Sequence, residues 1–395
     1  MLTSPPGPPA GRRDGGCPGE VAAGRRPQRR GRRRPGTPDH AGTGQPEVVA
    51  GSACFASTGD VRVVPAAEWD GVVRALGGLD TYTRAAYHGV SALLEPAGTR
   101  SALLHYTGGD RELALPLLLR PLPDGGGWDA TSAYGYGGPV GQPGGRPAEF
   151  GAALDGWARK NAVVTTFLRL HPLLGNGPLV PPSAERIELG RTVAWNVSAG
   201  RDLTALMHAH HRRAARRAER AGLVVDVVLR PRSLAEFRDL YSTTMRRQQA
   251  QPFFFFADSY WEALVDSADA LGLVLVEGRQ GGQLVAALLC FAEGPWLHYH
   301  LGASDGIGRT IGASHRCFVV AAEWAQSRGM THFHLGGGVG SSTDSPLFTF
   351  KSRFDPGSPL LSFSVAKLVH DRVRYRQLAG VDTTAGFFPR WRRGG

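Results

Sequence analysis

Cysteine is scarce in this sequence of 395 residues, and long apolar runs are absent. The four cysteines, Cys17, Cys54, Cys290 and Cys317, are scattered and form no Cys-x-x-Cys pair, which argues against a disulfide framework or a structural zinc site. No apolar stretch is long enough to cross a membrane. The arginines at 25–34 are not followed by an apolar segment of the kind found in signal peptides. These absences predict a cytoplasmic protein without integral membrane contact.

Acidic residues are few relative to basic ones. The chain holds 45 Lys and Arg against 34 Asp and Glu, a formal net charge of +11. Such an excess of positive charge favours a polyanionic partner, for example a nucleic acid. Residues 1–57 are rich in Gly, Pro, Arg and Ala and cannot bury enough apolar surface to offset the entropy of ordering, so we predict a disordered extension. A second interpretation is that translation starts downstream of them.

Beyond residue 57 the sequence changes to alternating helical and strand patterns. Residues 199–370 predict a helix, a strand, two helices, a hairpin, a strand, a helix and a strand. Residues 58–198 predict a weaker version of the same order, and residues 371–395 form a basic tail. We therefore predict an α/β (α+β) fold of two similar lobes, each with a mixed central sheet flanked by helices.

One stretch near the end of the second lobe carries the strongest functional signal. In Thr331–Phe354 a short strand leads into three glycines, Gly336–Gly338, and then into an aromatic segment with a single lysine, Lys351, between Phe350 and Phe354. Consecutive glycines allow positive φ angles and close approach of a ligand. The pattern resembles the segment that closes the second domain of FemABX-type transferases. These enzymes have two GNAT-like lobes and move an amino acid from aminoacyl-tRNA to an amine.

The resemblance covers about residues 60–370 and depends on five segments in order. They are YGYGGP at 134–139, RLHP at 169–172, a basic helix, YHLGASD followed by GAS, and LGGG followed by LFTFK. The resemblance implies that both lobes are GNAT-like, with the acceptor bound on the side of the first lobe and the donor on the side of the second.

Lys351 is the candidate catalytic residue. Forming an amide from an ester requires stabilisation of negative charge on the carbonyl or leaving oxygen, and a fixed ammonium can supply it. The resemblance places the family's catalytically important lysine at this position, and a surface lysine is the alternative. It also implies that Tyr299 faces the central channel, with ordinary strand packing as the alternative. Strand alternation turns His298 and His300 to the opposite side.

Two features are candidates for binding the donor. Arg309, Gly312, Ala313 and Ser314 lie in a turn before a helix, where GNAT enzymes bind the CoA pyrophosphate with backbone N–H groups and the helix dipole. Ser314 departs from that motif, and a simple tight turn is the alternative. The second feature is a predicted helix over 201–221. Helical spacing places four of its arginines on one face, where they could contact the phosphates of an RNA backbone. The alternative is an ordinary solvated helix face. The four residues are Arg213, Arg216, Arg217 and Arg220.

The acceptor side is predicted mainly from the first lobe. Tyr134 and Tyr136 resemble the tyrosine-glycine-proline turn that lines the acceptor channel of Fem-type first lobes. Arg169 belongs to a segment that resembles the family's R-x-HP motif. Arg246 or Arg247, on a predicted helix of the second lobe, is a candidate contact for an anionic acceptor.

These features predict transfer of an aminoacyl group from aminoacyl-tRNA to an amine, either a peptidoglycan precursor or a small natural product. Charged tRNA is the donor substrate, no cofactor is expected, and the protein is expected to be a monomer. No metal site is predicted, because the histidines at 208, 210 and 211 have no partner cluster in the sequence. Two alternatives stay open. One is an N-acyltransferase that uses acyl-CoA, such as acetyl-CoA, and the other is a non-catalytic RNA- or nucleotide-binding module.

Overall fold

Strands and helices alternate along the computed structural model, which describes residues 59–108, 111–142 and 146–393. The predicted disordered extension, residues 1–57, lies outside these residues. The strands are β1 Asp60–Val64, β2 Arg100–Gly108, β3 Arg111–Pro121, β4 Trp128–Thr131, β5 Val140–Gly141, β6 Val163–Arg169, β7 Glu185–Asn196, β8 Val224–Leu229, β9 Leu273–Gln280, β10 Gln283–Glu293, β11 Trp296–Ser304, β12 His332–Gly336 and β13 Leu361–Val369. The α-helices are α1 Ala66–Ala75, α2 Ala85–Ala92, α3 Pro147–Lys160, α4 Leu203–Leu206, α5 Ala209–Arg220, α6 Ala235–Arg247, α7 Asp258–Asp266, α8 Gly306–Ile311, α9 Ala313–Ser327, α10 Pro346–Ser352 and α11 Arg372–Ala379.

The strands form one mixed sheet. Its order is β1-β2-β3-β4-β6-β13-β7-β12-β11-β10-β9-β8, with β5 paired to β3. Both predicted hairpins are present, because β2 pairs antiparallel with β3 and β9 pairs antiparallel with β10. Parallel pairing occurs between β4 and β6 and between β11 and β12. The predicted α/β class, with a mixed sheet flanked by helices, is confirmed.

Two strands connect the halves of this sheet. β13, near the end of the chain, lies between β6 and β7. β7 pairs with β13 through residues 185–192 and with β12 through residues 193–196. The second half of the chain therefore supplies a strand next to β6 of the first half. The predicted lobe boundary near residue 198 follows the end of β7 and stays a prediction.

The predicted helix over 201–221 is two helices, α4 and α5. Between them Met207 is buried and has an extended backbone, with ψ 151°. Asp202 caps α4, and the His208 side chain caps α5, each by accepting hydrogen bonds from backbone N–H groups. The break places the Met207 side chain in the core, where burial of apolar surface stabilises it. Helical spacing alone does not reveal this interruption.

Side chains from both halves of the chain share a core. Tyr82 and Tyr87 of the first half pack edge-on against Phe291 of β10. At the border of this core the Arg84 guanidinium forms an ion pair of 2.6 Å with the Glu293 carboxylate. We call this contact between the first and second halves the seam, and it positions the groups described below.

The parallel strands β11 and β12 pair only at their beginnings. Three residue pairs, from Trp296–His332 to His298–His334, are in register before the strands diverge. On its other side β11 pairs with β10, and a β-bulge shifts that register after Leu289. Bulges re-aim side chains and interrupt pairing, which is why they are common beside functional sites. The residues after His298 and His334 therefore border a gap in the sheet.

The predicted basic tail is folded through residue 393. Phe388 stacks on Tyr375 of α11, with ring centres 5.8 Å apart. Trp391 Nε1 donates a hydrogen bond of 2.9 Å to the Asp129 carboxylate, and the Arg392 guanidinium lies 2.8 Å from the same group. Because Asp129 is fully buried on β4, part of the positive charge of this segment serves an internal ion pair.

Within the part of the chain that the structure describes, no helix is both long and apolar enough to cross a bilayer. Cys290 and Cys317 are free and buried in the second half. The other two cysteines lie outside the described residues.

Candidate active site

Lys351 is completely buried, which is rare for a lysine. It lies on α10, which begins after Ser345, whose hydroxyl accepts a hydrogen bond from the Phe348 N–H. Lys351 Nζ donates a hydrogen bond of 2.8 Å to the Gly337 carbonyl oxygen and lies 5.3 Å from the centre of the Tyr299 ring. Tyr299 is on β11 and Gly337 directly follows β12. The amine therefore bridges the gap between the two diverging strands.

Burial lowers the pKa of the Lys351 amine to about 7. The physical cause is loss of hydration, which penalises the charged form. Among the described residues no carboxylate pairs with this amine to offset that loss. The ammonium and the neutral amine are therefore both populated near neutral pH. The first can stabilise an oxyanion, and the second can accept a proton.

Gly336, at the end of β12, brings a side chain of the first half to this lysine. Its φ is +75°, a conformation that favours glycine. A Cβ atom at this position would lie 3.3 Å from the Tyr136 hydroxyl and 3.6 Å from Lys351 Nζ. The structure thus brings together two residues that the sequence analysis treats separately, Tyr136 for the acceptor and Lys351 for catalysis.

A cavity of about 250 Å³ lies beside Tyr299. Three predicted donor-binding residues, Arg309, Gly312 and Ser314, line it together with Tyr299. The fourth, Ala313, has its side chain in the core and can offer only its backbone. The apolar part of the wall includes Leu288, Phe318, Leu347 and Phe350. We call this space the donor cavity.

The first turn of α9 lines the donor cavity. Gly312 precedes the helix with φ +85°, and no side chain caps the helix there. The first N–H groups of a helix have no partner inside it, and with the helix dipole they attract anions. A Cβ atom on Gly312 would lie 2.8 Å from the Ala214 carbonyl oxygen of α5. Close packing of α5 on α9 therefore requires glycine here even without a ligand.

The arginines predicted on one face of α5 are exposed. Arg213, Arg216 and Arg220 form no ion pair with any residue that the structure describes. Arg217 Nε donates a hydrogen bond of 3.2 Å to the Ile311 carbonyl oxygen, at the end of α8. This bond places the basic face of α5, meaning these four arginines, beside the turn that leads into α9.

Tyr134 and Arg169, predicted for the acceptor, lie in the first half near the seam. The Tyr134 ring contacts Phe253 and His300, with ring centres 5.5 and 5.7 Å away. Arg169 Nη1 donates a hydrogen bond of 3.2 Å to the Ser132 carbonyl oxygen. Burial lowers the pKa of the Arg169 guanidinium. Their contact with an acceptor stays a prediction.

The two candidate arginines of α6 differ in position. Arg246 is exposed. Arg247 Nη1 donates a hydrogen bond of 2.8 Å to the carbonyl oxygen of Ser304, which lines the donor cavity. Burial and the neighbouring charge of Arg309 lower the pKa of Arg247. Arg247 therefore lies at the rim of the donor cavity, and a contact of either arginine with the acceptor stays a prediction.

A buried network in the seam has no signal in the sequence. His171 Nε2 donates to Asp80 Oδ1 at 3.2 Å, and His298 Nε2 donates to Asp80 Oδ2 at 2.7 Å. Burial by itself would raise the pKa of Asp80, but the electrostatic interactions and hydrogen bonds with the N–H groups of His298 and His171 hold that pKa well below its ordinary value. The local signal for Asp80 is an aspartate that caps a short 3₁₀ turn with Thr83, which indicates nothing about its distant partners.

His334 extends this network towards the lysine. Its ring centre lies 5.6 Å from that of His298 and 5.1 Å from that of Tyr136. His334 Nε2 shares a hydrogen bond of 3.0 Å with the Thr192 hydroxyl. Burial lowers the pKa of His334 well below its ordinary value, and the charge of Lys351 adds to the effect. His334 is therefore a neutral imidazole between the carboxylate network and the amine.

A second group of histidines lies at the donor cavity. His315 lines the cavity, its ring centre is 4.5 Å from that of His211, and His210 is next to both. His211 Nε2 donates a hydrogen bond of 2.8 Å to the Phe350 carbonyl oxygen. Burial lowers the pKa of His211 to about 4 and that of His315 to about 3, with a smaller effect of Arg217 on His315. Positively charged neighbours such as Arg217 attract an anion and repel a metal ion. The expected absence of a metal site stays a prediction.

Comparisons with known proteins agree on a fold. Residues 207–344 match the family model described as an acetyltransferase (GNAT) domain. A search of curated protein sequences finds no significant match. The crystal structure of FemX is 13% identical, with a TM-score of 0.61, over 81% of this chain and 99% of that chain. The C-terminal domain of a putative lysylphosphatidylglycerol synthetase from Agrobacterium fabrum is 15% identical, with a TM-score of 0.51. The alignment covers 78% of this chain and 94% of that chain. L-PGS from Bacillus licheniformis is 15% identical, with a TM-score of 0.50, and the alignment covers 76% of this chain and 90% of that chain.

At such identities the likeness to solved structures shows the fold alone. The matched domain and the solved structures together show a GNAT-like fold. The similarity of fold extends over nearly all of FemX. The resemblance predicted from the sequence is confirmed at this level.

Proposed function

We propose that the protein transfers an aminoacyl group from aminoacyl-tRNA to an amine acceptor. The observation that carries the proposal is the buried Lys351 amine, which has no carboxylate partner among the described residues and lies between Tyr299 at the donor cavity and Tyr136 of the first half. Attack of an amine on an ester develops negative charge on oxygen. A cation held in a dry, preorganised site stabilises that charge more than the neutral ground state.

The donor cavity and the basic face of α5 suit an aminoacyl-tRNA. The cavity has room for the aminoacyl end, and Arg309 lies on its wall. Four exposed arginines on α5 lie beside it, joined to the cavity turn by the bond from Arg217 to Ile311. Phosphate contacts of this kind supply most non-specific affinity for nucleic acids. The FemX-like fold supports the same donor.

Access to Lys351 requires movement, because the side chain has no exposed surface. The carbonyl of Gly337 holds the ammonium through one hydrogen bond. Residues 342–344, which follow the glycines, are exposed. A shift of Gly336–Gly338 would release the ammonium to bind the carbonyl oxygen of the donor.

An N-acyltransferase that uses acyl-CoA is the second candidate. The observation that favours it is the uncapped first turn of α9, with Gly312 and Ser314 on the cavity wall. Such a turn suits a pyrophosphate. Lys351 would then act on a thioester carbonyl.

A non-catalytic RNA-binding module has no use for a buried lysine without a carboxylate partner, since burying such a lysine lowers the stability of the fold.

The two donors can be separated directly. The protein is incubated with an amine panel and either charged tRNA pools carrying radiolabelled amino acids or acyl-CoA pools. Transfer of label from tRNA that is abolished by RNase supports the proposal. Transfer that requires acyl-CoA and is insensitive to RNase supports the second candidate instead.

Lys351→Ala tests the site with either donor. We expect kcat to fall about a hundredfold while donor affinity changes little, because the ammonium acts on charge that develops in the transition state. Lys351→Arg should restore activity only in part, since a planar fork does not replace a compact ammonium. Lys367→Ala is the matched control, because Lys367 is also buried and donates to a backbone carbonyl, that of Thr384, at 2.7 Å. Wild-type turnover of Lys351→Ala would show the assignment to be wrong.

A further inference from the structure

We infer that His298 is the base that accepts the proton of the attacking amine, and that Asp80 is a positioning residue that orients it. The inference rests on acyl transfer to an amine, as proposed above, and applies to either donor. It goes beyond Lys351, which acts on the oxygen of the donor and not on the proton of the acceptor.

The tautomer of His298 follows from its partner. An ionised carboxylate only accepts hydrogen bonds, so the Nε2 atom 2.7 Å from Asp80 carries the proton. The lone pair of the neutral ring is then on Nδ1. This atom is buried and has no hydrogen-bond partner among the described residues. Since buried polar atoms are nearly always paired in folded proteins, this lone pair is available to a partner from outside the chain, such as a substrate or a water molecule.

His171 provides an internal comparison, because it binds the same carboxylate. Its Nε2 donates to Asp80 at 3.2 Å, but its Nδ1 already accepts a hydrogen bond of 3.2 Å from the Leu174 N–H. His171 cannot take up a proton without losing that bond. Asp80 therefore holds two buried imidazoles, and only His298 has a lone pair available for a substrate.

The surroundings of His298 contain one carboxylate and several neutral groups. The titratable groups around it are Asp80, His171, Tyr82, His334 and His300, with Lys351 beyond His334. Burial raises the pKa of Tyr82 well above its ordinary value, so the phenol stays neutral. Burial lowers the pKa values of His171 and His334, so both imidazoles stay neutral. The Asp80 carboxylate is the charge that compensates an imidazolium at His298.

The location of His298 fits this role. His298 is the last residue of β11 paired with β12, so it lies where the gap between these strands begins. Lys351 Nζ and the Tyr136 hydroxyl converge on Gly336 at the end of the neighbouring strand. The same opening that exposes Lys351 to the donor carbonyl can bring the acceptor amine to His298 Nδ1.

In the proposed reaction the neutral amine attacks the ester carbonyl, a C–N bond forms, and the amine proton passes to His298 Nδ1. Lys351 stabilises the oxyanion of the tetrahedral intermediate. The C–O bond to the donor ribose breaks, and the imidazolium returns its proton to the departing oxygen. The products are an amide and the free ribose hydroxyl, and His298 is again neutral.

The test compares His298→Gln with His171→Gln. Glutamine keeps an N–H near the Nε2 position, so each variant can still donate to Asp80, and only His298→Gln loses the available lone pair. We expect kcat/KM to fall about 10²–10⁴-fold for His298→Gln, the usual contribution of a general base, and less than about tenfold for His171→Gln. Equal losses in the two variants would overturn the inference.

The dependence of kcat/KM on pH provides a second test, because a purely structural role of His298 would not change the shape of this profile. An imidazole base makes kcat/KM fall at acid pH as the ring becomes protonated. We expect His298→Gln to lose this acid limb and His171→Gln to keep it. Asp80→Asn should move the acid limb, because it changes the charge beside the ring. An acid limb that is identical in all three variants would contradict the assignment.

A measurement on the wild-type protein keeps the inference testable if the variants do not fold. Nitrogen-15 NMR of the histidine rings should show the Nε2–H tautomer at His298, with an unprotonated Nδ1. An Nδ1–H tautomer would overturn the inference. Failure of the donor proposal is distinguishable, because the RNase experiment identifies the donor, whereas the base is tested with whichever donor supports transfer.

Discussion

The seam and the donor cavity surround their histidines with opposite charge. In the seam, His171 and His298 share the buried Asp80 carboxylate. At the donor cavity, His315 lies near Arg217 and His211 lies near Arg353, and neither has a carboxylate partner among the residues that the structure describes. A carboxylate can compensate a protonated imidazole, whereas arginines repel it and attract an anion. The same residue type therefore suits proton transfer in one region and binding of an anionic donor in the other.

The difference follows from packing. Both regions are poorly hydrated, and burial is the first cause of the lowered pKa of His171, His211 and His315. What distinguishes them is the neighbouring element: the turn that carries Asp80 in one case and the basic face of α5 in the other. Substitutions in each region should therefore have different effects.

Asp80→Asn should lower the free energy of unfolding by about 3–5 kcal/mol, the usual cost of removing one member of a buried charged network. Two imidazole N–H groups lose their carboxylate acceptor in the variant. Urea denaturation at pH 7 measures the change. Asp226→Asn, in the exposed edge strand β8, is the control and should change stability by less than about 0.5 kcal/mol.

The Asp80 contribution should also depend on pH. The pKa of Asp80 in the folded protein is below that of the unfolded chain, so the unfolded state binds more protons in the interval between them. The contribution is present above the unfolded value of 3.8 and is lost as pH falls through the folded value. The stability difference between wild type and Asp80→Asn should therefore shrink only in acid. A difference that is constant from pH 7 to pH 3 would contradict this account.

Lys351→Met should inactivate the protein and stabilise it. Lowering the pKa of this amine from 10.5 to about 7 corresponds to a cost on the order of 5 kcal/mol at low pH. Loss of the hydrogen bond to Gly337 offsets part of the gain, so we expect a net increase of about 2 kcal/mol at pH 6. Thermal or urea unfolding measures it, and Lys367→Met is the control.

The stability difference between Lys351→Met and wild type should depend on pH. Between pH 7 and 10.5 the unfolded wild-type chain holds a proton on this amine that the folded protein does not hold. Wild-type stability therefore rises with pH through that window. The advantage of the methionine variant should be largest below pH 7 and decline towards pH 10.5. A variant that is less stable than wild type at pH 6 would indicate a structural role for the lysine.

Charge on the donor side should affect binding and not folding. Replacing Arg213, Arg216 and Arg217 with Ala should reduce the slope of log K for charged tRNA against log salt by about 2–3 and weaken binding about tenfold. Filter binding at several salt concentrations measures the slope. The control removes three exposed arginines of the first half, Arg62, Arg74 and Arg159. Equal changes in slope would mean that the basic face of α5 is not the contact surface.

The smallest predicted effect separates two neighbouring arginines. Arg247→Ala should raise the KM for the donor about threefold, since Arg247 bonds to Ser304 at the rim of the donor cavity and an exposed contact of this kind is worth less than about 1 kcal/mol. Arg246→Ala, its exposed neighbour, should leave the donor KM unchanged. If the acceptor KM rises instead in either variant, the arginine belongs to the acceptor side, as the sequence analysis predicts.

Local patterns predicted much of the fold. The hairpins β2–β3 and β9–β10 and the helix α9 follow from alternation, turn residues and helical spacing, which operate over a few residues. The basic helix was predicted too long, because the extended backbone at Met207 depends on a core that distant residues build. The position of β13 between β6 and β7 was not predictable in the same way, since its partners are far away in sequence.

The same distinction between local and distant interactions applies to the residues of the candidate site. Lys351 was predicted from a single segment, and so was the turn at Gly312. Asp80 was not, because His171 and His298 lie 91 and 218 residues further along the chain. No short motif contains such a group, and each of its members alone resembles an ordinary capping or strand residue.

The sequence by itself determined which chemical groups are available and where the backbone can bend. It places one lysine among phenylalanines after three glycines and collects arginines on one face of a helix. Only the tertiary structure decided how these groups are charged and which of them meet. Burial without a carboxylate lowers the pKa of Lys351 to about 7, and a carboxylate from the first half orients His298. Protonation and hydrogen-bond partners depend on three-dimensional neighbours, because desolvation and Coulomb energy are set by distance in space and not by separation along the chain.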